Sequence, residues 1–269
     1  MKTIKSYIAN LPKGVKWIVG INIFVYLIFL ITNNLIGVKL HDYFGAYPTY
    51  SDNFNPLQIV SSMFVHKLDI SHLFSNMLVF LIFAPFIEKE FGTKFFIFTY
   101  LICGVFAYTF INYSYLKNKP TIEGSIVKVG VNVEDIKITN HSINENYLSK
   151  LNRVQRNKVL DYQYVISKSY GASGAIGGMI LIYMLFNIKN LKKILYIFLG
   201  SYIVYLTMDG INQNNTLLNG SHYAHAGGMF GGLIIYLFYK TKKGTKWYPF
   251  FILMFDYSTT FSLGLNILK

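Results

Sequence analysis

The chain is poor in charge, poorer still in acidic residues, and nearly without cysteine. Only 14% of its 269 residues are charged, against 53% hydrophobic. A soluble chain of this size needs more charge to cover its surface, so the composition speaks against a water-soluble globular domain. Aspartate and glutamate number 12 against 25 lysines and arginines, a formal net charge of +13. Such a balance suits nucleic-acid binding in some proteins. Here the lysines flank apolar runs and do not form a stripe interleaved with aromatic platforms, so anionic lipid headgroups are the better partner and nucleic acid is excluded. One cysteine, Cys103, allows no intrachain disulfide; inside its apolar stretch it reads as a small side chain facing lipid or a neighbouring helix. No internal repeat stands out.

What the chain has is apolar length, with 23 Phe and 22 Tyr. A spanning helix needs about 20 residues, and the candidate spans are 15–32, 73–87, 95–113, 172–187, 194–208 and 223–239. Several are short unless the polar residues at their starts, His72, Ser173 and His225, lie within the helix. Polar groups at membrane depth are costly and tend to be kept for function. The start, Met1 to Lys16, is polar and basic, and the run behind it leads into Thr32-Asn33-Asn34 without a small-residue cleavage site; it reads as an uncleaved first span. Lysines of the N-terminal tail, the 88–94 and 188–193 turns and the 240–246 segment fall on one side, whereas the short loops of the other side carry only Lys39 and Lys67. The positive-inside rule therefore puts the N-terminus in the cytoplasm.

Three segments stand apart. The loop 114–169, with nine basic and five acidic residues, reads as an extracytoplasmic insertion lying along the membrane surface. Long segments cross largely regardless of charge. Within it, Ile126 to Val133 has a strand-like pattern, and Glu145 to Tyr164 has helical spacing. The last segment, 247–268, is apolar but interrupted by Pro249, Asp256 and Ser258-Thr259-Thr260. It reads as an interfacial hairpin or loose helix, with a seventh span as the alternative. The expected organisation is a membrane domain over 1–240, interrupted by 114–169, and a cytoplasmic or interfacial segment over 241–269.

Chemistry-bearing residues gather at the outward ends of three spans. Gly171-Ala172-Ser173-Gly174-Ala175-Ile176-Gly177-Gly178 opens the fourth. Ser221-His222-Tyr223-Ala224-His225-Ala226-Gly227-Gly228-Met229-Phe230-Gly231-Gly232 opens the sixth. His72-Leu73-Phe74-Ser75-Asn76 opens the second, its histidine and asparagine on one face at a spacing of four. Each has an ordinary reading as a packed or helix-gluing feature, since small residues let membrane helices approach and polar ones bond across them. Together they supply more: a neutral imidazole hydrogen-bonded to a hydroxyl generates an oxygen nucleophile, and a side-chain amide with an imidazole can donate to a tetrahedral anion.

This order of pieces resembles the rhomboid family of intramembrane serine proteases, whose signature is Gly-x-Ser-Gly on the fourth span, Ala-His-x-x-Gly on the sixth and His-x-x-x-Asn on the second. The matching residues are Gly171 to Gly174, Ala224 to Gly228 and His72 to Asn76, with Ser62-Met63-Phe64-Val65-His66 and Glu88-Lys89-Glu90-Phe91-Gly92 in support. The resemblance extends over roughly 15–240, the 114–169 insertion apart. It implies an all-α polytopic fold, a bundle of six transmembrane helices; the candidate extra C-terminal hydrophobic segment, 247–268, falls outside the resemblance. It also implies Ser173 as nucleophile and His225 as general base, without a carboxylate partner; Asp209 is the nearest candidate for one. Asn76, His72 and the Ser173 backbone N–H would form the oxyanion hole, while Gly171, Gly174, Gly228 and Gly232 would serve helix packing. No metal or cofactor is expected.

The chain departs from the family twice. Leu57-Gln58 stands where many relatives carry Trp-Arg, and Gly177 where some carry a tyrosine stacked on the histidine. Other protease chemistries lack their motifs: there is no His-Glu-x-x-His and no Gly-x-Gly-Asp. His222 and His225 have no further ligand cluster with them, His41 and His141 read as solvated loop residues, and His66 as packed in the first loop. The expectation is an integral protein of the bacterial cell (inner) membrane that cleaves transmembrane protein substrates from its extracytoplasmic side. The alternative is a catalytically weak or inactive rhomboid-like protein that binds membrane clients; a transporter would need repeated halves and broken helices.

Overall fold

The computed structural model describes residues 2–136, 138–139, 142–187 and 220–241. The chain divides into two compact units, Met1–Ile235 and Tyr236–Lys269. Everything below concerns the first, save the end of the last helix. The expected fifth span, Asp209, His141 and the 247–268 segment lie outside the described residues.

A short amphipathic helix, α1 (Lys2–Ala9), precedes α2 (Lys13–Ile31), which continues as a π turn to Ile36. Pro12 starts the second, its ring fixing φ and removing a donor that a helix start does not need. The first N–H groups of α2 have no carbonyl of their own to bond. Glu88, only 4% exposed, reaches across from another helix to take them: Gly14 N–H and Val15 N–H donate to its two carboxylate oxygens at 2.7 Å each. Thr93 adds a third bond at 2.7 Å. A negative charge at a helix N-terminus also opposes the macrodipole. Gly14 makes the approach possible, since a Cβ there would stand 3.0 Å from the carboxylate.

After the short turns α3 (His41–Phe44) and α4 (Gln58–Ser61) comes α5 (Ile70–Phe91). Asp69 caps it by accepting from Ser71 N–H at 3.0 Å. Gly92, at φ +84°, turns the chain directly into α6 (Thr93–Lys128), a conformation open to glycine. Among the described residues, three helices are long and apolar enough to cross a membrane: 13–36, 70–91 and 93–128. Their cores meet around Phe80, Phe96, Tyr100 and Cys103, all buried. Helix α9 (Ser173–Phe186), apolar but only 14 residues long, packs against α5 and α6, and α10 (Gly220–Thr241) completes the described bundle.

The 36 residues of α6 extend about 54 Å, well beyond a hydrocarbon thickness of about 30 Å. The helix passes through position 114, where the sequence suggested a loop. Its C-terminal part carries the insertion: hairpin β1 (Ile138–Thr139) and β2 (Ser142–Ile143), then α7 (Glu145–Leu148) and α8 (Arg153–Ile166). Two expectations are corrected. Ile126 to Lys128 end α6 and do not open a strand, and the helical stretch from Glu145 is broken at 149–152, where Asn152 starts α8 with a capping box to Gln155. The insertion folds on a core of its own, with Ile122, Ile126, Ile143, Leu148 and Val159 at its centre.

Candidate active site

The three motifs converge on one cavity. It measures about 520 Å³ and is lined by Ser173 and Gly174 from α9, Ser221 and Ala224 from α10, and His72 from α5. Gly104, Ala107 and Ile111 of α6 and Leu160, Gln163 and Tyr164 of α8 form further walls.

Ser173 is the first residue of α9 and is half-buried. Its N–H, with those of Gly174 and Ala175, falls at the helix end that offers no internal acceptor and carries partial positive charge. The approach to this helix is held rigidly. Ala46 and Ser169 exchange N–H···O bonds of 2.9 and 2.8 Å, and Gly171 N–H donates to Ser62 O at 2.9 Å. Gly171 itself has φ +121°, and a Cβ there would stand 3.0 Å from His72 Cε1. This glycine therefore serves the turn ahead of α9, and its neighbour is His72, not α10.

Helices α9 and α10 touch backbone to backbone. A Cβ on Gly228 would lie 1.8 Å from Gly174 O, one on Gly178 2.3 Å from Gly228 O, and one on Gly232 2.4 Å from Gly178 O. A Cβ on Gly174 would come 3.2 Å from Ala224 O, and one on Gly177 3.9 Å from His225 Cα. The residue after Ser173 thus meets the residue before His225, and the half-buried His225 sits opposite the next turn of α9. Gly177 faces His225, so the ring that some relatives carry at this position has only hydrogen in its place.

His72 lines the cavity with a defined tautomer. Its Nδ1 accepts from Lys67 N–H at 3.3 Å, which leaves the proton on Nε2 as a donor. Asn76 lies one turn further along α5, 6% exposed and outside the cavity lining; its Nδ2 donates to His72 O at 2.7 Å. Of the residues expected in the oxyanion hole, His72 and the Ser173 N–H therefore border the cavity, while Asn76 is bonded within its own helix.

His41 departs from the solvated reading, whereas His66 is packed in the first loop as expected. His41 Nε2 lies 2.6 Å from His66 O, and its ring packs between Phe29 and Tyr170. Burial lowers its pKa, partly offset by the His66 carbonyl. His66 is 1% exposed, with its ring centroid 5.2 Å from that of His72. Burial first, then the nearby His72, pushes it down to about 3. At the Leu57-Gln58 departure, the buried Gln58 organises the loop: Nε2 donates to Tyr43 O and Asn53 O at 3.1 and 3.0 Å, and Oε1 accepts from Asn55 N–H at 3.1 Å. Cys103 is buried where a Cβ on Gly178 would meet its sulfur at 2.4 Å. No cluster of three or more metal-ligating side chains occurs among the described residues. Sequence reading missed the insertion's share of the site, Leu160, Gln163 and Tyr164, because nothing in a helical pattern says which distant cavity its face borders.

Fold and site together define a helical integral membrane protein with a serine-bearing cavity among its helices. The Rhomboid domain family matches over residues 53–133 and 145–242, and the chain belongs to the rhomboid family. The match passes over only 134–144, the stretch containing the hairpin, so much of the insertion falls within it. No curated protein and no solved structure matches the chain.

Proposed function

We propose that this protein is an intramembrane serine endopeptidase cutting transmembrane or membrane-proximal segments of other membrane proteins. The observation that carries the reading is the placement of Ser173: first residue of α9, in the wall of a cavity that His72 also lines, and on a helix in backbone contact with that of His225.

In the proposed reaction Ser173 Oγ attacks the scissile carbonyl while His225 takes its proton. The carbonyl oxygen becomes an anion at the α9 N-terminus, where the Ser173 N–H and His72 Nε2–H donate to it. His225 then gives the proton to the leaving amine, and the acyl-enzyme forms. Water entering through the cavity attacks the ester, with His225 again as base, and Ser173 is regenerated. Asn76 completes the hole by turning its amide from the His72 carbonyl. A helical peptide bond is shielded by its own hydrogen bonds, so substrates with small or helix-weakening residues near the cut are favoured.

The accompanying topology is six spans, a membrane domain over 1–240 with the insertion outside, a cytoplasmic N-terminus, and residence in the bacterial cell membrane. Full-length protein in vesicles with a reporter transmembrane substrate tests the activity: cleavage is expected from the wild type and none from Ser173→Ala. Equal cleavage by both would remove Ser173 from the mechanism. A second reading, a client-binding protein without activity, draws on Gly177 and on the Asn76 amide bonded to its own helix. Failure of a fluorophosphonate to label Ser173 in folded protein would favour it.

A further inference from the structure

Two lysines, Lys67 and Lys168, line the cavity beside Ser173, and no aspartate or glutamate does so among the described residues. The two cations are not equivalent. Lys168 Nζ sits 2.5 Å from Asp42 Oδ1 and 5.7 Å from the centroid of the Tyr47 ring, so its charge is answered within the protein. Lys67 is exposed and makes no ion pair among the described residues. Its neighbour in sequence, Asp69, is engaged at the start of α5, accepting from both the N–H and the hydroxyl of Ser71. The Lys67 backbone is anchored by its N–H bond to His72 Nδ1. Its side chain therefore starts next to the histidine assigned to the oxyanion. Across the cavity, Leu160, Gln163 and Tyr164 are uncharged, and the Gln163 amide is occupied by Ile143 N–H and Ser167 Oγ.

We propose that the cavity selects substrates with an aspartate or glutamate side chain close to the scissile bond, held by Lys67. The inference rests on the endopeptidase reading and names its substrate class. A carboxylate entering the cavity gains a charge-assisted hydrogen bond to the ammonium and meets no like charge on the wall. A lysine or arginine at the same substrate position faces Lys67 directly and is repelled. Because Lys67 is exposed, the preference weakens as salt is raised.

The test uses full-length protein in phosphatidylcholine vesicles with three reporter substrates that differ only in carrying Glu, Gln or Lys beside the cut. Wild type is expected to cleave them in that order, with about tenfold in kcat/KM between Glu and Lys. The order is expected to reverse in Lys67→Glu and the ratio to fall toward one in Lys67→Met, which keeps an unbranched apolar stem. Fluorophosphonate labelling of Ser173 checks each variant for an intact site, and Lys67→Met carries the test if Lys67→Glu does not label. Equal cleavage of the three reporters by labelled wild type, or a preference unchanged in a labelled variant, overturns the inference and leaves the endopeptidase reading standing. Wild type that neither labels nor cleaves overturns that reading and this inference with it.

Discussion

Replacing Gly228 with alanine adds one methyl group at the tightest point between α9 and α10. That Cβ would stand 1.8 Å from Gly174 O and 2.7 Å from Gly174 C. A carbon needs about 3.3 Å from a carbonyl oxygen, so the two backbones must part by roughly 1.5 Å, and no side chain can rotate away to absorb it. Overpacking of this kind costs about 1–3 kcal/mol. The displaced helices carry Ser173 and His225, and a misplacement of about 1 Å can cost about 10²-fold in rate. Gly20 is the control: nothing lies within 4 Å of a Cβ there, and alanine in a helix is favoured over glycine by about 1 kcal/mol. The single buried thiol, Cys103, provides the stability assay, because a maleimide reaches it only when the bundle opens. The expected result is faster Cys103 labelling and about a hundredfold slower reporter cleavage in Gly228→Ala, with neither change in Gly20→Ala. Wild-type labelling and cleavage in Gly228→Ala would refute the backbone contact as the joint that aligns the two helices.

Four further outcomes follow from other contacts. Glu88→Ala strands two buried N–H groups at the start of α2 and is expected to cost about 2–4 kcal/mol; thermal unfolding in detergent at wild-type temperature would count against the cap. His72→Ala removes the proposed oxyanion donor and should lower kcat by about 10²–10³ with KM little changed, whereas a loss of less than about threefold contradicts the Nε2–H assignment. Gln58→Leu leaves the carbonyls of Tyr43 and Asn53 without their donor, and limited proteolysis should open the 43–58 loop faster than in wild type. His66 is held at about 3 in the fold against 6.5 when free, so between those values the unfolded chain binds the extra proton. Stability therefore falls as pH drops through that window, by up to about 1.4 kcal/mol per pH unit. Denaturation curves at pH 7 and 5 should lie closer together for His66→Phe, and an unchanged separation would rule His66 out as the source.

How much of this was legible beforehand depended on whether a signal is local. The starts of α9 and α5 and the apolar runs of the first three spans are written in adjacent residues: an all-apolar stretch, a glycine cluster, a histidine four before an asparagine. The length of α6 was hidden because Lys117, Asn118, Lys119 and Pro120 resemble a loop, whereas the C-terminal part of the helix is held by Ile122 and Ile126 against a second core. Gly171 looked like one more packing glycine; its positive φ and its contact with His72 arise from the Ala46–Ser169 and Ser62–Gly171 bonds, which join segments far apart in the chain. His41 looked solvated because its partners, the His66 carbonyl and the Phe29 and Tyr170 rings, come from three other segments. Gln58 in place of arginine suggested only altered loop packing, and its four-way role needed the folded loop to be seen.

The 54 Å rod of α6 has a mechanical meaning. Gly104, Ala107 and Ile111 border the cavity, and Ile122 and Ile126 anchor the insertion, on one continuous helix with Pro120 as its single gap in donors. A helix transmits push and twist along its axis where a loop would dissipate them. The insertion is accordingly joined to the cavity wall by one continuous helix and not by a loose tether, so its core and the chamber that contains Ser173 share a single backbone element.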